Sequence, residues 1–115
     1  MELDRSLISG SIPLLVMKLL EAGDLYGYQM IEELRRRSDD TFHLKAGTLY
    51  PLLHGLEEKG YVTAYEGEAA AGKPRRYYHL TAQGRDALRE KEAAWNQYAR
   101  AVGRVLKGGT CCAGA

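Results

Sequence analysis

Apolar residues recur with a helical period in several separate stretches of this chain. In SIPLLVMKLLEAG, Ile12, Leu15, Val16, Leu19 and Leu20 make one stripe, and Leu14 and Met17 widen it until the segment is apolar nearly all round. Such a helix belongs in the middle of a core. Pro13 fits its first turn if Ser11 or a near neighbour is the cap, because the first N–H groups lack intrahelical partners anyway, and Gly23 ends it. A second helix follows in DLYGYQMIEELRRRS, with Asp24 as candidate N-cap and Met30, Ile31 and Leu34 as inner face. Gly27 would let a neighbouring helix come close. Arg35, Arg36 and Arg37 fall in its last turn, where cations complement the helix dipole, and that reading is preferred to a ligand role. Ser38–Asp40 reads as a turn and Phe42–Leu44 as a short strand or extended link.

The third periodic stretch, KAGTLYPLLHGLEEKGYV, carries Leu49, Leu52, Leu53 and Leu56 at i, i+3, i+4, i+7. On a helical wheel Gly47, Pro51, His54, Gly55 and Glu58 lie opposite the leucines, flanked by Thr48 and Tyr50. A surface helix normally covers its outer face with Lys and Glu. Here the first two turns of that face hold no acid and no bulky aliphatic side chain. Small residues let backbone approach base edges, Thr48, Tyr50 and His54 can hydrogen-bond to bases or phosphates, and Lys45 just ahead can hold a phosphate. If Thr48 is near the cap, Pro51 falls in the first turn, where its missing N–H costs little. Gly60 closes the helix.

Two β-prone runs, Tyr61–Glu66 and Arg75–Leu80, then flank a tip from Gly67 to Pro74, which reads as a hairpin with a long loop. With Leu80 pointing inward, alternation turns Tyr78 inward too and Tyr77 and His79 outward. The tip sequence GKPRR concentrates Lys73, Arg75 and Arg76, suited to phosphate or minor-groove contact, although Arg76 can instead stack against Tyr77. Thr81 caps a last helix from Ala82 to Lys107, about 39 Å long at the helical rise. Its apolar positions Leu88, Trp95 and Val102 are seven apart, with Tyr98 and Val105, three residues after Trp95 and Val102, adding the intermediate heptad positions and Lys91 as a break. A seam of that length exceeds what a domain of about eighty residues needs, so it asks for the same helix of a second subunit.

The predicted fold is mainly α with a small β-hairpin: a winged helix-turn-helix over residues 1–80, then a dimerisation helix over 81–107 and a flexible tail over 108–115. In that fold the third helix, residues 46–59, enters the DNA major groove and the wing, residues 61–80, reaches the flanking backbone or minor groove.

Composition adds mainly exclusions. The chain has 115 residues, 45% apolar and 27% charged, with a formal net charge of +1, so a nucleic-acid reading must rest on where the cations lie. No apolar run approaches a membrane span, and the acidic start lacks the pattern of a signal peptide, which favours the cytoplasm. Cys111 and Cys112 are adjacent in the tail and staple nothing; metal sites want three or four ligands, and none lies nearby. His43, His54 and His79 have no metal or catalytic spacing, and GTLYP lacks the lysine of a phosphate-binding loop. Neither an enzyme, a cofactor nor a metal is expected.

LYGYQMIEEL, AGTLYPLLHGLEEKGYV and GKPRRYYHLTAQG, in this order and spacing, resemble the PadR family of bacterial transcriptional regulators over roughly Gly10 to Leu88. A single C-terminal helix resembles the compact branch of that family. The resemblance implies a homodimeric winged-helix repressor on a pseudo-palindromic operator, released when a ligand binds. In that branch a tryptophan at a similar place lines a pocket where flat aromatic compounds stack. Carried to Trp95, this implies an aromatic sandwich between subunits, with Leu7, Ile8, Leu14, Leu88, Lys91, Tyr98 and Val102 as candidate surroundings. The plainer alternative is that Trp95 anchors the dimer core. Two competing functions remain: a winged helix that binds a partner protein, and a repressor with no small-molecule ligand.

Overall fold

A computed structural model describes residues 10–68 and 73–108. Among the described residues, four helices and three strands follow in the order α1 (Ile12–Glu21), β1 (Leu25–Tyr26), α2 (Gly27–Arg37), α3 (Ala46–Glu58), β2 (Val62–Gly67), β3 (Arg75–Leu80) and α4 (Ala82–Leu106). This is the expected mainly helical chain with a small antiparallel sheet and a long last helix. Val16, Met17 and Leu20 of α1 are fully buried at the centre of the core. Around them stand Met30 and Leu34 of α2, Leu49, Leu53 and Leu56 of α3, Val62, Tyr78 and Leu80 of the sheet, and Leu88 of α4. Burying one such side chain stabilises the fold by roughly 1.5–3 kcal/mol. Ser11 is the N-cap residue of α1 and Pro13 lies in its first turn, as anticipated.

The sheet differs from expectation. Its order is β1-β3-β2, with Leu25 opposite Tyr78 and Tyr26 opposite Tyr77. Phe42–Leu44 is not a strand but an extended link that drops Leu44 into the core. The third strand comes instead from Leu25–Tyr26, two residues before α2. Asp24 therefore does not cap α2. Tyr26 occupies the N-cap position, its N–H donating to Gln29 Oε1 at 3.1 Å. The Asp24 carboxylate instead clasps β1 to the hairpin: it accepts from the Tyr65 hydroxyl at 2.7 Å and contacts His79 Nδ1 at 2.9 Å. Beyond α2, Asp39 and Asp40 turn the chain with left-handed backbones of φ 54 and 64°, and Ser38 Oγ receives the Phe42 N–H at 2.9 Å.

Pro51 is also placed differently. α3 begins at Ala46 with Lys45 as N-cap, so the proline lies inside the helix and not in its first turn. The proline has no N–H to give the carbonyl of Gly47, four residues earlier. Gly47 and Pro51 are both on the exposed side, where solvent or a ligand can take that carbonyl.

α4 is joined to the wing through a tight corner. Thr81 Oγ1 accepts the Gly84 N–H at 2.9 Å and donates to the Gly60 carbonyl at 2.7 Å, while Thr81 N–H bonds Tyr61 O at 3.0 Å. Gly84 is buried there, and a Cβ added to it would overlap the Tyr61 carbonyl oxygen and crowd Leu80 Cδ1. Lys18 of α1 reaches Glu92 of α4 at 3.2 Å, and past that point α4 leaves the body, so that the chain extends 64 × 32 × 21 Å.

Because backbone stands in the way at Gly84, the Gly84→Ala variant is expected to lose about 2–3 kcal/mol. Thermal unfolding at matched protein concentration should show a midpoint drop on the order of 10 °C; an unchanged midpoint would contradict the corner geometry. Asp24 gives a pH test. Its carboxyl is held below the usual carboxylate range, first by the Tyr65 hydroxyl and then by His79. Stability from this clasp is present above the unfolded carboxyl's pKa of about 3.9 and is lost as pH falls through the lower folded value. The margin of the natural chain over Asp24→Asn in urea unfolding should therefore shrink between about pH 5 and pH 2. A margin that stays constant over that range would refute the clasp.

Candidate nucleic-acid interface

With Leu49, Leu53 and Leu56 turned into the core, the opposite side of α3 faces outward. Lys45, Ala46, Gly47, Thr48, Tyr50, Pro51 and His54 are all exposed there. The structure thus brings four predicted site residues, Lys45, Thr48, Tyr50 and His54, onto one continuous face. Acid enters only at its rear. Glu57 Oε1 lies 3.8 Å from His54 Nδ1, and Glu57 Oε2 lies 3.4 Å from the Arg76 guanidinium on β3. Glu57 ties the wing to the helix, a link that the sequence pattern did not reveal.

Tyr50 has a second role. Gly27 lacks a Cβ where the Tyr50 hydroxyl lies, so the phenol ring crosses the first turn of α2. Gly27 therefore admits a side chain and not a helix. Tyr26, Gly27, Tyr28, Tyr50, Arg75 and Arg76 line a groove of about 470 Å³ between α2 and the root of the wing. Arg75 lies 4.3 Å above the Tyr26 ring. Arg76 approaches the ring of Tyr78 at 5.8 Å and does not stack on Tyr77. Contact with Tyr78, then Glu57, raises the pKa of this guanidinium further above its ordinary value. Tyr77 itself stacks on Tyr65 at 5.7 Å and meets Tyr26 edge-on at 5.4 Å, a ring cluster that stiffens the sheet's outer side.

Ion pairing separates structural cations from available ones. Arg35 is held by Glu32 at 2.9 Å and also meets Asp40, while Arg36 and Arg37 share Glu33 at 2.6 and 3.4 Å. The triplet is neutralised locally, in line with a capping role. Lys45, Lys73 and Arg75 form no ion pair among the described residues. Lys73 is exposed at the far side of the tip, and residues 69–72, the middle of the expected loop, lie outside the described residues. Of the wing cations, Arg75 is the one without an ion pair that lies beside α3, in the groove that Tyr50 lines, while Glu66 and Glu68 are exposed on the wing's other arm.

The second predicted constellation, along α4, is only partly assembled. Leu88 is 0% exposed and belongs to the subunit's own core, so it is not available to line a pocket or a dimer interface. α4 lies against α1 through its first turns, and Leu88 is the residue inserted there. Beyond it Lys91 is exposed, Trp95 is 45% and Tyr98 63% exposed, with their rings 6.1 Å apart, and Val102 is half-buried. Leu14 packs against the core. Leu7, Ile8, Cys111 and Cys112 lie outside the described residues.

Sequence reasoning passed over Tyr26 and Tyr28, and read Glu57 only as an acid at the end of the helix expected to leave the groove. A signal existed for Tyr28, an aromatic at a position where the amphipathic pattern calls for a polar side chain. Among the described residues, no group of three or more His, Cys, Asp or Glu is placed to hold a metal, and no helix is long and apolar enough to cross a membrane.

Known proteins resemble this chain in sequence and in fold. A family model described as the transcriptional regulator PadR-like family matches residues 16–90. A transcriptional regulator of Mycobacterium tuberculosis is 37% identical over 79 residues, spanning 69% of this chain and 70% of that protein. A solved transcriptional regulator from Clostridium thermocellum superposes with a TM-score of 0.79 at 30% identity, covering 86% of this chain and 96% of that one. A PadR family transcriptional regulator from Eggerthella lenta superposes with a TM-score of 0.77 at 34% identity, covering 88% and 86%.

Proposed function

The chain belongs to the PadR-like family of transcriptional regulators, and on that premise we propose that it acts as a homodimeric repressor released from its operator by a small aromatic effector. The observation that carries the DNA reading is the acid-free outer face of the first two turns of α3, with Lys45 at its start and Arg75 beside Tyr50, neither in an ion pair among the described residues. A duplex presents phosphates on both sides of a groove whose floor offers hydrogen-bonding base edges. An outer face with small residues and hydroxyls suits the floor, and flanking cations suit the rims. Thr48 and His54 are the base-reading candidates. Lys45, Lys73, Arg75 and Arg76 are the backbone ligands, and Tyr50 is positioned by Gly27. Two copies of α3 would enter successive major grooves of a pseudo-palindrome, with half-sites about 34–36 Å apart.

Dimerisation is supported by the far part of α4. Trp95, Tyr98, Val105 and Leu106 are exposed there at 45–80%, a concentration of apolar surface that a second copy of the same helix would cover. An effector seated against Trp95 would lie between the two helices. It changes operator affinity only to the extent that it binds one dimer shape better than the other. Residues 81–107 would then be the dimerisation helix, while the DNA-reading unit ends at the wing.

Selection of bound duplexes from a random pool supplies the operator probe. On that probe, replacing Lys73, Arg75 and Arg76 with Ala should lower affinity by roughly a hundredfold or more and flatten its salt dependence, since each phosphate contact contributes about 0.9 to the slope. If the natural chain selects no duplex, the alternative of a protein-interaction winged helix takes over. For the interface, the Trp95→Ala, Tyr98→Ala double variant should sediment as a folded monomer, and the single Tyr98→Ala variant should show weaker quenching of Trp95 by flat aromatic dyes than the natural chain. A double variant that stays dimeric at the same dissociation constant would remove these residues from the interface; dyes that leave both fluorescence and operator affinity of the natural chain unchanged would favour constitutive repression.

A further inference from the structure

We propose that the groove between the start of α2 and the root of the wing is a seat for one backbone phosphate of duplex DNA, with Arg75, Tyr28 and Tyr50 as its ligands. The proposal rests on the reading of α3 as a DNA-binding element and extends it to residues outside that helix. Six residues line the groove, and none is acidic: Tyr26, Gly27, Tyr28, Tyr50, Arg75 and Arg76. Its chemistry is therefore two guanidinium groups and three phenols, donors throughout, which recognise an anion.

The two arginines are not equivalent. Arg76 is drawn toward Glu57 at 3.4 Å. Arg75 has no carboxylate partner among the described residues and instead lies over the Tyr26 ring, its Cζ 4.3 Å from the ring centre. A guanidinium stacked on one face keeps its N–H edges free, and a phosphate takes such an edge in bidentate fashion. Stacking also restricts the side chain before any ligand arrives, so less freedom is lost on binding. Tyr26 is fixed in turn by its edge-on contact with Tyr77 and by pairing of β1 with β3.

Tyr50 joins the seat to the reading face. Its ring begins on α3 and its hydroxyl ends at Gly27, within the groove. A phosphate held there would belong to the strand whose bases α3 faces, and would set the depth and register of the helix in the groove. Tyr28, 64% exposed on α2, adds a hydroxyl that the core does not use. Gly27 is then a specificity device: any side chain at that position pushes the Tyr50 hydroxyl out of the seat.

The test uses the selected duplex with each phosphate in turn replaced by a neutral methylphosphonate, and anisotropy titrations over a range of salt. The natural chain should lose roughly tenfold in affinity at one phosphate per half-site. Arg75→Gln should weaken the unmodified duplex by a similar factor, reduce the salt slope by about 0.9 per subunit, and lose nothing more at that phosphate. Tyr28→Phe and Gly27→Ala should give smaller losses coupled to the same phosphate. Gly27→Ala should keep its thermal stability, because the displaced atoms are the free end of a half-exposed side chain. Circular dichroism confirms folding of each variant. A natural chain that binds no duplex sinks the DNA reading and the seat together. Duplex binding in which Arg75→Gln adds its loss independently at every phosphate, or leaves the salt slope unchanged, overturns the seat alone.

Discussion

The orientation of the candidate ligands on α3 depends on one packing event, the insertion of Leu49, Leu53 and Leu56 into the core with α1. Truncating a leucine in such a setting costs about 2–5 kcal/mol, whereas an exposed ion pair contributes about 0–1 kcal/mol. The leucines therefore decide which way α3 faces, and the Glu57–Arg76 and Glu57–His54 contacts only trim that orientation. Once the leucines are buried, helical geometry leaves Thr48, Pro51 and His54 outside. Sterics, not charge, selects the face, and the charge is then distributed around it.

That distribution matters in a chain with a net charge of only +1. Arginines at the end of α2 are consumed by neighbouring acids, so they contribute little field beyond their own turn. The start of α3 keeps Lys45, and the wing Lys73 and Arg75, without an ion pair among the described residues, although Glu66 and Glu68 lie on the other arm of the hairpin. A nearly neutral protein can in this way carry a local positive field on one side. Glu57 lies at the boundary, where it limits how far that field extends along α3.

Periodicity made much of this legible. The leucine stripe of α3, the buried character of α1, the inward turn of Tyr78 and Leu80, and the Thr81 cap all follow from local spacing, and the structure has each of them. Less legible were features whose cause is non-local. A two-residue strand such as Leu25–Tyr26 has no period to detect and exists only because β3 offers it a ladder. Asp24 carries the side chain of a cap, yet Tyr65 and His79, 41 and 55 positions away, compete for its carboxylate and win. A heptad pattern places Leu88 in line with Trp95 and Val102 but does not say where the subunit's own core stops. Pro51 would fall in the first turn only with Thr48 near the cap; the helix instead starts at Ala46 behind Lys45, the start that the range 46–59 already gave, and this puts the proline inside it. On the candidate site, the face of α3 could be read directly. The Tyr26, Tyr28 and Gly27 contribution required knowing that Tyr50 reaches across to α2.

The corner at Thr81 and Gly84 has a mechanical consequence. Both ends of the wing, Gly60–Tyr61 and Leu80–Thr81, are bonded into it, and α4 starts from the same point with no spare residue. Among the described residues α4 is thus a cantilever, clamped over its first turns by Gly84 and Leu88 and without further contact to the body beyond Glu92. A lever built this way has no slack at its root. Tilting its outer part by a few degrees must either bend a continuous helix or carry the wing and α3 along as one body.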